Sequence, residues 1–425
     1  MIIALRGGGR ARYTSPSLHS FLESRFNFHG KKERFLVVSK TAQQKMLPEF
    51  YLNCLNSQLS ASQLLTLEML VWLLQFHKQV RIERLAACLP LPILYESRRR
   101  HVQRFLILPQ LSIPLLWFPL IKRILLTQIQ PGTQLILPLD RTQWKQNNLF
   151  VVSVIWDNRA WPIYWQFLSH IGSSNLAQQQ ALLRPVFRLL KGYEIVVIGD
   201  REFRSVELAY WLKQKKAYFA LRLKQGSYIQ LKGQESQKLN ELGLVPGMKL
   251  FLTGVKFTKK KGFGQFSVAA YWKRKYRGKG PNEGWYILTN LKSLDMAINV
   301  YKARSGIEAM FKDCKSGGYN LEDSKASVER LTSLVLLIAL AYTCAGLQGQ
   351  FIKSQGQQKY VSRLKELKRM TRRHSNFWVG LYGQMWIAAL EACSDWVRDL
   401  IRLRPNKRAF FQKGLRAMNL IQAAF

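Results

Sequence analysis

The segment Tyr193–Asp200, YEIVVIGD, decides the fold class of this chain. Its four consecutive aliphatic residues are typical of a strand that is buried on both faces of a sheet. The run ends at an aspartate, and α/β folds tend to build their sites at the carboxyl ends of such strands. The segment therefore predicts an α/β fold with a candidate functional carboxylate at Asp200, although an aspartate there is also a common turn former.

The flanking sequence predicts the other elements of the sheet. The order is three strands, a helix, the YEIVVIGD strand, a second helix and a last strand: TQLILPLD (133–140), LFVVSVIWD (149–157), RAWPIYWQFLS (159–169), NLAQQQALLRPVFRLLK (175–191), SVELAYWLKQKK (205–216) and AYFALRLK (217–224). DNRA (157–160) between the second and third strands predicts a hairpin turn. This order predicts a mixed sheet with helices on both faces.

A second aspartate, Asp140, ends the first predicted strand. In a 3-2-1-4-5 strand order the first and fourth strands are neighbours, so Asp140 and Asp200 are expected within bridging distance. Two carboxylates that close repel each other unless a cation neutralises them. Oxygen ligands of this kind suit Mg²⁺ or Mn²⁺.

A third acid, Glu308, lies in YKARSGIEAMFKDCK, Tyr301–Lys315. At about 100° per residue, Tyr301, Arg304, Glu308 and Lys315 fall on one stripe of one predicted helix. Such a stripe is most often a solvated face. Beside a pair of aspartates, however, Glu308 is the natural third metal ligand.

The three acids resemble the DDE triad of an RNase H-like transposase. The segment from Tyr301 matches the Y-(2)-R-(3)-E-(6)-K signature of the insertion-sequence family four transposases at every spacing. A D-R-E beginning at Asp200 and a β insertion before Glu308 are also features of that family. The resemblance covers about residues 46–420 and implies an RNase H-like catalytic domain flanked by helical regions.

The family also implies a mechanism. Asp140, Asp200 and Glu308 would be catalytic and would bind Mg²⁺ or Mn²⁺. The partners would be double-stranded element ends and target DNA, bound by a homodimer in the active complex. The implied reaction is metal-dependent cleavage and strand transfer in cut-and-paste transposition.

Several other residues are expected to contact DNA. The resemblance implies that Arg304 and Lys315 hold phosphates and that Tyr301 contacts a strand end. Arg201, within the D-R-E, belongs to the same DNA-binding set.

The β insertion, residues 224–284, concentrates positive charge in TKKKGFG (258–264) and KRKYRGKG (273–280). In the resembling family an aromatic side chain from this insertion holds a flipped base. Trp272 is the first candidate and Trp285 the second, and the alternative is that Trp272 packs inside the β module.

The remaining boundaries follow from composition. Residues 1–45 read as a poorly structured extension, and 46–128 as a helical DNA-binding region in which 81–106 resemble a helix-turn-helix. Residues 129–325 form the predicted catalytic domain, and 326–425 a C-terminal helical region. The apolar stretch 331–347 is interpreted as a buried helix rather than a membrane span.

Net charge identifies the class of partner. The chain carries 65 Lys and Arg against 25 Asp and Glu, a net charge of +40, which favours a polyanion such as DNA over a membrane surface. Five scattered cysteines and the lack of a signal peptide favour a cytoplasmic, nucleoid-associated protein. The alternatives to a transposase are a catalytically silent DNA-binding relative and a stand-alone DNA nuclease.

Overall fold

The computed structural model describes residues 47–259, 263–274, 276–277, 280–365 and 373–423. The extension predicted for residues 1–45 lies outside them. Glu49–Gly346 form one compact unit, and the described residues from Leu347 onward, with Leu47 and Pro48, form a second. The predicted sheet and the candidate site lie in the first unit.

The described strands form one mixed sheet. They are β1 Gln134–Trp144, β2 Asn147–Trp156, β3 Arg159–Phe167, β4 Glu194–Gly199, β5 Tyr218–Arg222, β6 Tyr228–Gln230, β7 Ser236–Lys238, β8 Lys249–Phe257, β9 Phe263–Tyr271 and β10 Trp285–Thr289. Their order is β3-β2-β1-β4-β5-β10-β9-β8-β6-β7. The predicted 3-2-1-4-5 order of the first five strands is confirmed.

Helices occupy most of the remaining described residues. They are α1 Glu49–Leu55, α2 Ala61–His77, α3 Ile82–Cys88, α4 Tyr95–Phe105, α5 Phe118–Gln128, α6 Leu176–Leu189, α7 Val206–Gln214, α8 Leu294–Lys302, α9 Ser305–Cys314, α10 Val328–Ser354, α11 Gln358–Val361, α12 Asn376–Ala392, α13 Ser394–Leu403 and α14 Arg408–Gln422. The predicted helix, turn and basic helix within 81–106 are present as α3 and α4.

The turn between β2 and β3 is the predicted hairpin. Asp157 and Asn158 both have positive φ, 44° and 61°. Positive φ at both central residues matches the right-handed twist of the flanking strands, and Asp and Asn tolerate it. This turn fixes β3 beside β2 at one edge of the sheet.

The parallel pairing of β1 with β4 runs to Leu139 opposite Gly199. The prediction that Asp140 ends the first strand is wrong, because β1 continues to Trp144 as the partner of β2. Only the pairing of β1 with β4 ends at Leu139, because the segment after β4 turns at Asp200 into a short 3₁₀ turn, Arg201–Phe203. Gly199 permits this turn, because a Cβ there would lie 2.7 Å from Phe203 Cβ.

The predicted β insertion contains β6 to β9 and continues the same sheet. Strand β10 pairs on one side with β5, with Ile287 opposite Arg222, and on the other side with β9. The insertion is therefore hydrogen-bonded through β10 and β5 to the strands that carry Asp140 and Asp200.

Helix α8 covers the centre of the sheet. Its Ala297, Ile298 and Tyr301 pack in one buried cluster with Val196 of β4 and Ile287 of β10. Fully burying an aliphatic side chain stabilises a fold by roughly 1.5–3 kcal/mol. This packing fixes the end of α8 above β4 and β10.

The prediction that Tyr301–Lys315 form a single helix is wrong. Helix α8 ends at Lys302 and α9 begins at Ser305, and Ala303 and Arg304 donate i→i−3 backbone bonds of 3.2 and 3.1 Å. Gly306 lets α9 lie against the β2–β3 hairpin, because a Cβ there would be 2.8 Å from Ile155 Cδ1. The four signature residues therefore do not share one helical stripe.

Helix α10 contains the apolar stretch 331–347. It is the one helix in the described part of the chain that is long and apolar enough to cross a membrane, and 89% of its apolar window is buried within the protein. Burial of that extent is typical of the core helix of a globular protein, as predicted.

In the second unit, a small apolar cluster joins α12 and α14 to the end of α10. Val379 and Ile387 of α12 pack with Ile352 and Ile421. Ser375 caps α12 by accepting the backbone N–H of Trp378 at 3.2 Å.

Candidate functional site

The two aspartates stand at the same level of neighbouring strands. Asp140 follows Leu139 of β1, and Asp200 follows Gly199, the residue paired with Leu139. Each carboxylate accepts a nearby backbone N–H: Asp140 Oδ1 from Arg141 and Asp200 Oδ1 from Glu202, both at 2.8 Å. This register places Asp140 and Asp200 next to each other on the two neighbouring strands.

Arg304 joins two of the three acids. Its Nη1 lies 2.9 Å from Asp140 Oδ2, and its Nη2 donates a hydrogen bond to Glu308 Oε1. The break between α8 and α9 places Arg304 at the start of α9, one turn before Glu308. The Asp140 side chain is 16% exposed, whereas that of Glu308 is 56% exposed.

Electrostatics show that the acids act on one another. The pKa of Asp140 is raised to about 6, mainly by burial and also by the charges of Asp200 and Glu308, against the opposing effects of Arg304 and the Arg141 N–H. Burial alone would lower the pKa of Arg304, but the acids, Asp140 first, outweigh burial and raise it. The site is a group of carboxylates balanced by one guanidinium.

The donor chemistry of this group fits a hard divalent cation. Its oxygens come from three carboxylates, the ligand type that Mg²⁺ and Mn²⁺ prefer. Within the described ranges, no set of three His, Cys, Asp or Glu side chains is already gathered as a metal site. The positive charge at the acids is instead that of Arg304, between Asp140 and Glu308.

Tyr301 is buried next to the acids. It is 3% exposed, its ring lies 5.0 Å from that of Trp285 in an edge-on arrangement, and its hydroxyl is hydrogen-bonded to Arg222. Burial raises the pKa of Tyr301. Its placement links α8 to β5 and β10 beneath the site.

Arg201 of the D-R-E pairs with Glu283. The same carboxylate accepts a bond of 2.7 Å from Arg222 Nη2. Glu283 lies just before β10, at the end of the insertion, so this cluster connects the insertion to the loop after β4.

Lys315 lies beyond the end of α9. Its Nζ is 2.7 Å from Glu322 Oε1. Like Arg201, this predicted phosphate ligand is paired with an acid in the structure, and neither is brought into contact with Asp140, Asp200 or Glu308 by any described bond.

The two candidate tryptophans have different surroundings. Trp272 follows β9, is half-buried, and donates its Nε1–H to the Pro281 carbonyl at 3.1 Å. Trp285 begins β10 and lies edge-on to both Tyr271 and Tyr301. It also lines a cavity of 370 Å³ together with Tyr271, Lys273, Pro281, Glu283 and Lys302.

Sequence analysis missed the roles of Arg141, Arg222 and Glu283. Arg141 pairs with Glu202, the last residue of the D-R-E, with 3.0 Å between Nη2 and Oε2. The only sequence signal was the D-R-E itself, which marks Glu202 but not its partner on β1.

Comparison with known proteins identifies one family. Residues 156–344, somewhat less than half of the chain, match the family described as the transposase DDE domain. The matched segment includes Asp200 and Glu308, and Asp140 precedes it. This segment is similar to transposase DDE domains.

Among solved structures, the chain is similar to a cryo-EM structure of a piggyBac transposase synaptic complex with hairpin DNA. The two chains are 12% identical with a TM-score of 0.38, over 86% of this chain and 83% of that one. A comparison with curated proteins finds no match.

Proposed function

We propose that this chain is a transposase of insertion-sequence family four, with an RNase H-like catalytic domain, that binds the inverted repeats of its element, cleaves the DNA and joins the ends to a target. The proposal is carried by the arrangement of Asp140 and Asp200 on adjacent parallel strands with Glu308 linked to Asp140 through Arg304. The match of residues 156–344 to transposase DDE domains supports it.

Asp140, Asp200 and Glu308 would hold Mg²⁺ or Mn²⁺ in this proposal. Divalent cations bound in this way supply an activated water and stabilise the leaving oxygen in phosphodiester chemistry. Asp140 and Asp200 are already oriented by backbone N–H groups, whereas Glu308 is on an exposed part of α9. Arg304 pairs with Asp140 and Glu308 in the protein alone, and a cation held by the acids would leave it free to bind a DNA phosphate.

The positive residues around the acids would bind the DNA near the cut. Arg201 and Lys315 are held by Glu283 and Glu322, so a phosphate would compete with those acids for them. Tyr301 would contact the DNA strand end from its buried position next to the acids. The active complex would be a homodimer on paired ends in the nucleoid-associated cytoplasm.

Helix α4 would read the element ends. Arg98 holds the turn before it through the Ala86 and Ile93 carbonyls, and Arg99 pairs with Glu96. Arg100 and Arg104 are exposed, and in the described part of the chain neither forms an ion pair. The second helix of a helix-turn-helix enters the major groove, which suits this basic face.

Strand transfer tests the proposal against its alternatives. Precleaved DNA ends taken from the sequence that flanks the reading frame are incubated with the protein, Mg²⁺ and a supercoiled target plasmid. A transposase yields joined products, and Asp200→Asn, which keeps the shape of the side chain, abolishes them. Cutting without joining would identify a stand-alone nuclease, and binding without either product a silent DNA-binding protein.

A further inference from the structure

Two residues outside the predicted site connect the backbones that orient the two aspartates. Arg141 donates its backbone N–H to Asp140, and its side chain reaches Glu202. Glu202 donates its backbone N–H to Asp200, and its side chain accepts that of Arg141. Arg141 thus binds Asp140 through its backbone, and Glu202 binds Asp200 in the same way. The side chains of Arg141 and Glu202, which are 61 positions apart, are bonded to each other.

The pair is largely removed from solvent and fully engaged. The exposed fractions of the Arg141 and Glu202 side chains are 16% and 13%. Glu202 Oε1 also accepts the backbone N–H and the hydroxyl of Ser174, both at 2.9 Å. Arg141 Nη1 donates to Oδ1 of the buried Asn148 at 3.0 Å, so one end of the pair is anchored in β2 and the other in the loop before α6.

A bidentate guanidinium–carboxylate pair has a defined geometry, unlike a pair with lysine. A link of that kind between the residues that follow the two acids restrains the distance and the relative orientation of the acids. Residues that orient metal-binding carboxylates in this way typically change metal affinity by about 10- to 100-fold when they are replaced.

We propose that Arg141 and Glu202 are positioning residues, which tie the carboxylates of Asp140 and Asp200 into the spacing that a divalent cation needs. The inference rests on the proposed metal site. It assigns a role to Glu202 of the D-R-E that depends on Arg141 and not on contact with DNA.

A purely structural ion pair is the competing interpretation, and the chain provides a matched control. Arg159 and Asp313 form an ion pair at 3.0 Å between the β2–β3 hairpin and α9, with side chains 30% and 16% exposed. Arg159→Gln and Asp313→Asn remove a pair of comparable burial that does not touch the aspartates.

The first experiment measures amide hydrogen exchange in the metal-free protein, in the peptides that contain Arg141 and Glu202. Glu202→Gln is expected to reduce the protection of the Arg141 amide from exchange, and Arg141→Gln that of the Glu202 amide. Each substitution breaks the Arg141–Glu202 ion pair and so frees the remaining partner to move. The control variants should leave both amides protected. If Arg141→Gln left the Glu202 amide fully protected and Glu202→Gln left the Arg141 amide fully protected, the proposal would be overturned.

The second experiment measures Mn²⁺ binding by calorimetry without DNA. Arg141→Gln and Glu202→Gln should each weaken binding by about tenfold, and the double variant no further, since both remove one link. If both single variants bound Mn²⁺ with wild-type affinity while Asp140→Asn lost binding, the proposed positioning role of Arg141 and Glu202 would be overturned. If wild type and Asp140→Asn bound Mn²⁺ equally, or if neither bound it, the proposed metal site would be refuted. The hydrogen-exchange experiment would then still test whether Arg141 and Glu202 hold each other in place.

Discussion

Arg304 Nη1 lies 2.9 Å from Asp140 Oδ2, although the two residues are 164 positions apart in the chain. The contact brings the Y-R-E-K segment to the strand pair that carries both aspartates. It also gives Arg304 a partner that a phosphate-binding role alone does not require. In the protein without DNA, this arginine stabilises the cluster of acids.

Replacing any of the three acids tests the site directly. Asp140→Ala, Asp200→Ala and Glu308→Ala are each expected to reduce cleavage by several powers of ten, because the acids act as one unit. Binding to end DNA, measured by gel shift, should be largely retained. Near wild-type cleavage by one variant would remove that residue from the catalytic set.

Removing Arg304 should make the protein more dependent on divalent cations for stability. Arg304→Ala leaves the carboxylates without their guanidinium, so its melting temperature without metal should fall. Added Mn²⁺ should raise that temperature more than it does for wild type, because ligand binding stabilises the folded state. Arg222→Ala is the comparison, since Arg222 pairs with Glu283 and not with the three acids. An equal Mn²⁺ shift in Arg304→Ala and wild type would contradict this prediction.

Stability should depend on pH through Asp140. Its pKa is raised to about 6 in the folded protein from 3.8. The folded state therefore holds the proton more tightly, and the resulting stability is present below about pH 4 and lost as the pH rises through about 6. Asp140→Asn cannot ionise, so relative to wild type it should gain roughly 3 kcal/mol in the free energy of unfolding between pH 4 and 7.

Urea unfolding in EDTA at a series of pH values measures this difference. Asp295→Asn, at a side chain that is 81% exposed, is the control and should show no such gain. A constant difference between Asp140→Asn and wild type across pH 4–7 would show that Asp140 ionises as an ordinary carboxyl.

Salt dependence should separate the phosphate ligands. Arg100→Ala on α4 and Lys315→Ala are each expected to lower the slope of log K against log salt concentration by about one unit. Filter binding to end DNA at several salt concentrations gives the slope. Glu322→Gln should instead leave the affinity for end DNA unchanged or raise it, because the substitution frees Lys315 from its ion pair. Lost activity of Lys315→Ala with an unchanged slope would point to a structural role beside α9.

Trp272→Ala should lose hairpin or second-strand processing while first-strand nicking survives, if its ring stacks on an unpaired base, an interaction of roughly 1–3 kcal/mol. Trp272→Phe keeps a ring but not the Nε1–H bond to Pro281, so it should retain second-strand processing. Equal loss of both steps, or unfolding, would favour packing within the insertion. Trp285→Ala tests the second candidate in the same assay.

The sequence predicts those parts of the fold that local patterns determine. The buried β4 run, the Asp157–Asn158 turn and the insertion before Glu308 were all predictable, because strand periodicity and turn chemistry are short-range. From them followed the five-strand order and the placement of Asp140 and Asp200 on neighbouring strands. The extension of β1 beyond Asp140 was not predictable, because it depends on pairing with β2.

The site residues that sequence analysis missed depend on contacts between distant segments. The break at Ala303 and Arg304 accompanies the close approach of Gly306 to Ile155, which no helical periodicity reveals. The bonds of Arg304 to Asp140 and of Arg141 to Glu202 likewise join residues that only the tertiary fold brings together. Residue spacing alone predicted a stripe, whereas packing produced two helices with an arginine between them.

The insertion leaves and rejoins the sheet at adjacent residues. The chain leaves β5 at Leu223 and returns at Tyr286, and the Leu223 N–H donates to the Tyr286 carbonyl at 2.7 Å. The two ends of the excursion are thus already adjacent, as in an ordinary hairpin. A tight two-residue turn could close β5 onto β10 without moving either strand. Such a shortened chain would keep Asp140, Asp200 and Glu308, so residues 224–284 could be exchanged for a turn without replacing any of the three acids.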